Sequence, residues 1–193
     1  MSTRSLFRIF ALLFFAIFNA LLLAAPAPAQ DRAKGEGGEK AVMVGGAPML
    51  PSRNIVENVV SSKDHTTLVV AVKTAGLVDT LAGKGPLTLF APTNAAFGKL
   101  PSGALDNLLK PENKAALAKL LTTHVVPGKL AADDLADGRK LTTMAGEELT
   151  VKRDGSRVWL LDAKGGRAAL TIPDVAQSNG VIHVIDAVLM PAT

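Results

Sequence analysis

The chain contains no cysteine and no tyrosine, and it has a single tryptophan. Without cysteine there can be no disulfide framework, thiol nucleophile, thiolate metal site or lipid anchor on an N-terminal cysteine. Histidine is also scarce. His65, His124 and His183 are far apart and never share a helical ligand spacing such as H-x-x-x-H, which speaks against zinc. No G-x-S-x-G elbow is present, and Ser156 and Ser178 sit beside glycine or asparagine, as turn serines do. GGEK (residues 37–40) has no strand ahead of it and is not a phosphate loop. The formal net charge is +4, but the two signs are mixed along the chain and no basic run appears. Nucleic acid is therefore not the expected partner. Nothing in the residues supports an enzyme, and no cofactor is implied.

Hydrophobic residues make up 48% of the chain, a figure inflated by the N-terminus. Arg4 and Arg8 precede an apolar run in which Asn19 is the one polar residue, and Ala27-Pro28-Ala29 supplies small residues at its end. Positive, then apolar, then small is the order of a secretory signal. The expected cut follows Ala29, making residues 1–29 a signal peptide. No twin arginine is present, which favours the general export route. Left uncut, this segment would be the chain's only membrane contact, since a spanning helix needs about 20 apolar residues. Cleavage would leave residues 30–193, enough to bury a sizeable core without disulfides. It would also leave few aromatics, namely Phe90, Phe97 and Trp159, so a platform of stacked rings for carbohydrate is hard to build.

Residues 30–51 are rich in Gly, Ala, Lys and Glu with no apolar period, and read as a flexible linker. The folded domain is expected over residues 52–193. NIVENVV (residues 54–60) reads as a short helix. A second helix is expected over residues 67–75, capped by Asp64 or Thr66 and closed by Gly76. Residues 77–81 add another turn. PLTLFAP (residues 86–92) reads as a strand stopped by proline. Thr93 or Asn94 should cap a short helix carrying Phe97, and Ser102 a further turn to Leu109. Pro111 suits the first position of a helix that runs to about His124, with Ala116, Leu117, Leu120, Leu121 and His124 on one stripe. Residues 149–153 and 157–161 read as strands joined at Asp154-Gly155. A short strand follows at residues 168–172. After the Asn179-Gly180 turn, VIHVIDAVLM (residues 181–190) reads as a long strand buried on both faces. Helices come first and strands second, which argues α+β with a largely antiparallel sheet or sandwich. No internal repeat is visible.

Several separated blocks resemble fasciclin-like domains. TLFAPTNAAFGKLP (residues 88–101) is similar to the family's first signature block, and NGVIHVIDAVLMP (residues 179–191) to its second. HVVPGKL (residues 124–130) resembles the central histidine segment, while NIVENVV and LVDTLAGKGPLTLFAPTN (residues 77–94) resemble the family's opening. The resemblance covers residues 54–191. It implies a β-sandwich of short, mainly antiparallel strands with a wedge of helices along one edge. It also implies a secreted or surface module for adhesion or matrix attachment, binding a protein partner without catalysis. Thr93, Asn94, Phe97, Asn179, Gly180, His183 and Asp186 fall on the signature blocks. In many relatives a tyrosine tied to adhesion precedes the central histidine. Here Thr123 stands there, and the ring is lost.

The candidate partner contacts are Thr123 and His124, together with Asp174 and Val175. The last two lie in IPDV (residues 172–175), which resembles an aspartate-plus-aliphatic integrin motif. Each has a plainer reading. His124 fits a core histidine bonded to backbone where Pro127 ends the helix, and Asp174 a turn aspartate. His183 should be buried and satisfied by a neighbouring loop, since an unsatisfied buried imidazole is costly. His183 and Asp186 face opposite sides of a strand and cannot pair directly. His65 is expected to be exposed. Asp133, Asp134 and Asp137 lack calcium-loop spacing and read as caps. A carrier of a small apolar ligand, held between sheet and helices, is the alternative function. A hydrolase comes third.

Overall fold

The computed structural model describes residues 41–192. The expected signal peptide and residues 30–40 of the expected linker lie outside them.

The rest of that linker segment is ordered, which corrects the sequence reading. β1 (Val42–Val44) and β2 (Ala47–Met49) form an antiparallel hairpin. Val44 and Met49 are buried in the core. Alternation over such short strands, split by Gly45-Gly46, is too brief to register as a period.

Helices follow as expected. α1 (Ile55–Ser61) is capped by Asn54, whose side chain accepts the Glu57 N–H while Glu57 reaches back to the Asn54 N–H. α2 (Thr66–Ala75) ends at Gly76, which adopts the left-handed φ of 75° that costs glycine little. α3 (Val78–Ala82) leads into β3 (Leu87–Pro92). α4 (Asn94–Gly98) is capped by the Thr93 hydroxyl. α5 (Ala104–Leu108) begins after Gly103 with no side-chain cap, so Ser102 does not cap it. Pro111 opens a short 3-10 turn that runs into α6 (Lys114–Thr123). Its buried stripe is Leu117, Leu120, Leu121 and Thr123, while Ala116 is exposed.

The remaining strands are β4 (Val125–Pro127), β5 (Lys140–Thr142), β6 (Glu148–Asp154), β7 (Arg157–Leu161), β8 (Arg167–Gln177) and β9 (Gly180–Ile185). They join β3 in one ladder of order β4-β3-β9-β8-β7-β6-β5. All pairs are antiparallel except β3 with β9. The ladder curls until its ends meet, where the Met144 N–H donates to the Val125 carbonyl at 2.7 Å. The expected sandwich thus takes the form of one folded sheet.

Two hydrophobic clusters divide the interior. One lies between the helices and β3 and β9, with Ile55, Leu68, Leu117, Leu89, Ile182 and Val184. The other fills the curl, with Phe90, Val126, Leu149, Val151, Leu160 and Ile185. Leu89 and Phe90 are sequence neighbours in different clusters, because successive strand residues point to opposite faces. The same alternation buries β9 on both sides. β9 is shorter than its apolar run suggests and ends at Ile185 rather than Met190. β8 is longer than expected and continues through IPDV by way of two register shifts.

Candidate functional site

The signature residues act as joints between elements. Asn179 spends its whole side chain on backbone. Oδ1 accepts the Ile55 N–H at 3.0 Å, and Nδ2 donates to the Leu81 and Gly83 carbonyls at 2.9 Å each. One amide therefore fixes the start of α1, the end of α3 and the turn before β9. Gly85 and Gly180 permit the close approach this needs. A Cβ at Gly85 would lie 1.9 Å from the Asn179 oxygen, and one at Gly180 would lie 1.9 Å from the Leu87 oxygen.

Asn94 was expected to compete with Thr93 for one cap. Thr93 takes that cap, and Asn94 caps a different helix. Its Oδ1 accepts the Thr67 N–H at 3.0 Å and its Nδ2 donates to the Lys63 carbonyl at 2.8 Å. The start of α2 is thus capped from across the fold, not by Asp64 or Thr66. Phe97 is buried in the first cluster. Asp186, just past β9, accepts the Ala169 N–H at 2.8 Å and meets Lys99 at 3.2 Å. It does not pair with His183.

All three histidines are wholly buried. His124 donates from Nδ1 to the Leu120 carbonyl at 2.8 Å and accepts the Leu189 N–H on Nε2. Burial pulls its pKa down to about 4, against smaller opposing effects of the Leu120 carbonyl and the Asp162 charge. His183 has the opposite tautomer. It accepts the Asp174 N–H on Nδ1 at 3.1 Å and donates from Nε2 to the Leu130 carbonyl at 2.9 Å. Its ring stacks on Phe90, with centroids 5.5 Å apart. Burial lowers its pKa, partly offset by the Leu130 carbonyl and the Asp174 charge. His65 is not exposed, contrary to expectation. Its Nδ1 meets the Ser62 hydroxyl at 2.9 Å, while Nε2 makes no well-formed hydrogen bond. Burial lowers its pKa, offset in part by the Ala91 carbonyl and then by Asp64.

Three of the four candidate contacts are buried, and His124 takes the plainer reading of a core histidine bonded to backbone. Thr123 and His124 are fully enclosed, and the Thr123 hydroxyl donates to the Lys119 carbonyl at 2.9 Å. Val175 is fully buried in the first cluster. None of the three presents a side chain to a partner. A helical stripe and a strand end in sequence do not reveal which side a curled sheet will cover.

Asp174 alone of the four is exposed. It sits at a register shift of β8 with φ 57°, a left-handed conformation that aspartate tolerates better than most residues. Its Oδ1 accepts the Ala132 N–H at 2.7 Å. The β8 bulge is therefore tied to the segment after β4 at two points, through Asp174 and through His183. The same segment is fastened by Thr88, whose hydroxyl donates to the Gly128 carbonyl at 2.7 Å and accepts the Leu130 N–H at 2.9 Å. The contact between Asp174 and His183 was invisible in sequence. The only hint was Pro173, a residue that interrupts a ladder and invites a bulge. Nearby, Asp134 and Asp137 hold the Ala131 and Arg153 N–H groups, as caps do.

Among the described residues, no three His, Asp or Glu side chains converge as a metal site would need. No helix there is long and apolar enough to cross a membrane. The apolar gap between α1, α2, α3 and β3 holds about 20 Å³, room for roughly one water. A small apolar ligand there would have to displace core side chains.

Comparison with known proteins places this geometry. The fasciclin domain model matches residues 63–191. Protein sll1483 of Synechocystis sp. is 44% identical over 164 residues, spanning 85% of this chain and 88% of its own length. Immunogenic protein MPB70 of Mycobacterium bovis is 37% identical, across 68% of this chain and 65% of its own. The transforming growth factor-beta-induced protein ig-h3 of Sus scrofa is 35% identical across 72% of this chain but only 20% of its own length. Among solved structures, a FAS1 domain pair from the insect cell adhesion molecule Fasciclin I matches with TM-score 0.66 at 19% identity, covering 73% of this chain and 52% of that one. The α+β fold with its curled sheet and helical wedge is therefore that of FAS1 domains, and the chain belongs to the fasciclin domain family.

Proposed function

We propose that this chain is an exported interaction module that binds a protein partner at the cell surface or matrix, with no catalytic step and no cofactor. Membership of the fasciclin family carries this reading, because the resemblance implies adhesion and surface attachment. The sequence at residues 1–29 supports export, with cleavage after Ala29. The histidines support a binding role over a chemical one. His124 and His183 use both ring nitrogens on backbone groups, so neither is free to serve as a base.

Asp174 is the contact residue retained in this reading. It is exposed, and its backbone is fixed by His183 and its carboxylate by Ala132. A fixed, exposed charge loses little freedom on binding. The test is a pull-down from envelope and matrix extracts with the chain as bait, beside an Asp174→Asn variant. Asparagine keeps the acceptor and tolerates the left-handed backbone, so the fold should persist. The expected result is a partner held by the original chain and lost by the variant. A partner held equally by both would remove Asp174 from the interface. Absence of any saturable partner would defeat the module itself.

A further inference from the structure

An open cleft of about 620 Å³ lies over the joint that Asn179 makes. Its lining includes Asn54, Lys84, Lys129 and Ser178, together with backbone around Gly85 and Asn179. No carboxylate lines it. Both lysines are exposed and, among the described residues, neither makes an ion pair or hydrogen bond within the chain.

The polar groups of the cleft are unevenly engaged. Several acceptors are already taken. The Gly83 carbonyl receives Asn179 Nδ2 and the Gly85 N–H, the Asn179 carbonyl receives the Leu87 N–H, and the Pro86 carbonyl receives the Gly128 N–H. Asn54 Oδ1 is held by the Glu57 N–H. Among the side chains that line the cleft, four polar groups have no partner. They are the two ammonium groups, Asn54 Nδ2 and the Ser178 hydroxyl, none with a partner among the described residues. Two unpaired cations with no carboxylate in the lining suit a ligand group that carries negative charge. The backbone beneath the cleft is closely packed. Gly85 and Gly180 are packed so closely against Asn179 and Leu87 that no side chain fits there.

We propose that this cleft is a binding site for an oxyanion-bearing ligand, a carboxylate or phosphate group seated between Lys84 and Lys129. Asp174 is not among its lining residues, and the proposal does not depend on the adhesion reading. The shared chemistry could come from a free oxoanion or from acidic side chains of a peptide, and two probes separate these sources.

The experiment follows backbone amide shifts of the full chain by NMR. One arm titrates inorganic phosphate and the other hexaglutamate, each against sodium chloride at matched ionic strength. Saturating shifts at Lys84, Gly85, Lys129, Ser178 and Asn179 are expected. Saturation by phosphate assigns a site for free oxoanions, and saturation by hexaglutamate alone assigns a site for acidic peptide. Lys84→Glu/Lys129→Glu should abolish the saturation at an unchanged melting temperature. If that pair lowers the melting temperature, Lys84→Gln and Lys129→Gln singly should each weaken the response. The proposal is overturned if neither probe saturates, if chloride gives the same shifts, or if the lysine variants respond like the original chain.

Discussion

His124 and Leu189 stand 65 residues apart in sequence, and the imidazole Nε2 accepts the leucine backbone N–H at 2.9 Å. This bond fastens the segment after β9 to the end of α6. It requires a neutral ring, because a protonated Nε2 would set one N–H against another.

Acid should therefore loosen the domain. The His124 pKa falls from 6.5 to about 4 on folding. Above pH 6.5 both folded and unfolded rings are neutral, and stability does not vary on this account. As pH drops from 6.5 toward 4, the unfolded chain binds a proton that the folded chain refuses. Stability should decline by roughly 3 kcal/mol across that window. His65 and His183 are shifted the same way and should steepen the decline. Urea unfolding at steps between pH 7.5 and 4.5 checks this, and a flat midpoint would refute it.

Asn94→Ala should cost about 1 kcal/mol, as loss of a helix cap usually does. The substitution frees the Thr67 N–H at the start of α2 and the Lys63 carbonyl, far from Asn94 in sequence. Hydrogen exchange separates this from a local effect on α4. Faster exchange should appear in the first turn of α2, and faster exchange confined to α4 would count against the cap.

Gly180→Ala should destabilise by roughly 2 kcal/mol or more, since the added methyl meets the Leu87 carbonyl oxygen at 1.9 Å and backbone must move. Gly138 offers a contrast, with no atom within 4 Å of its would-be Cβ. Its left-handed φ of 75° makes Gly138→Ala a backbone cost alone, of about 1 kcal/mol. Thermal melts of the two variants should rank them in that order.

Ile185→Asp should unfold the domain. Ile185 is fully buried in the curl of the sheet, and an unpaired carboxylate there costs more than about 4 kcal/mol. Fluorescence of Trp159, the sole tryptophan, offers a direct readout. A native melting profile would show that the strand does not run where β9 is placed.

Much of the fold was legible in the chain. The Gly76 stop, the Thr93 cap and the apolar run of β9 rest on local chemistry that needs no distant partner. The β6–β7 pairing was legible too, although the two turn residues proved to be Gly155 and Ser156, with Asp154 paired to Arg157. The β1–β2 hairpin was not legible, since three-residue strands earn their place only by packing Val44 and Met49 into the core. The candidate contacts were read less well. Thr123, His124 and Val175 carried a contact reading beside a plainer one, and the curl of the sheet encloses all three, with His124 the backbone-bonded core histidine of its plainer reading.

The sequence by itself determined the α+β order of elements and the absence of thiol chemistry, and its motif blocks carried the family resemblance. Each follows from residue type and short-range spacing. Tertiary structure alone decided which polar groups are consumed and which are free. Asn179, Asn94, His124 and His183 find their partners across long stretches of chain, so their roles are set by where the strands cross. The same closure leaves Asp174 outward and Val175 inward, and leaves Lys84 and Lys129 facing one cleft. Exposure is a property of the closed sheet, and no local pattern encodes it.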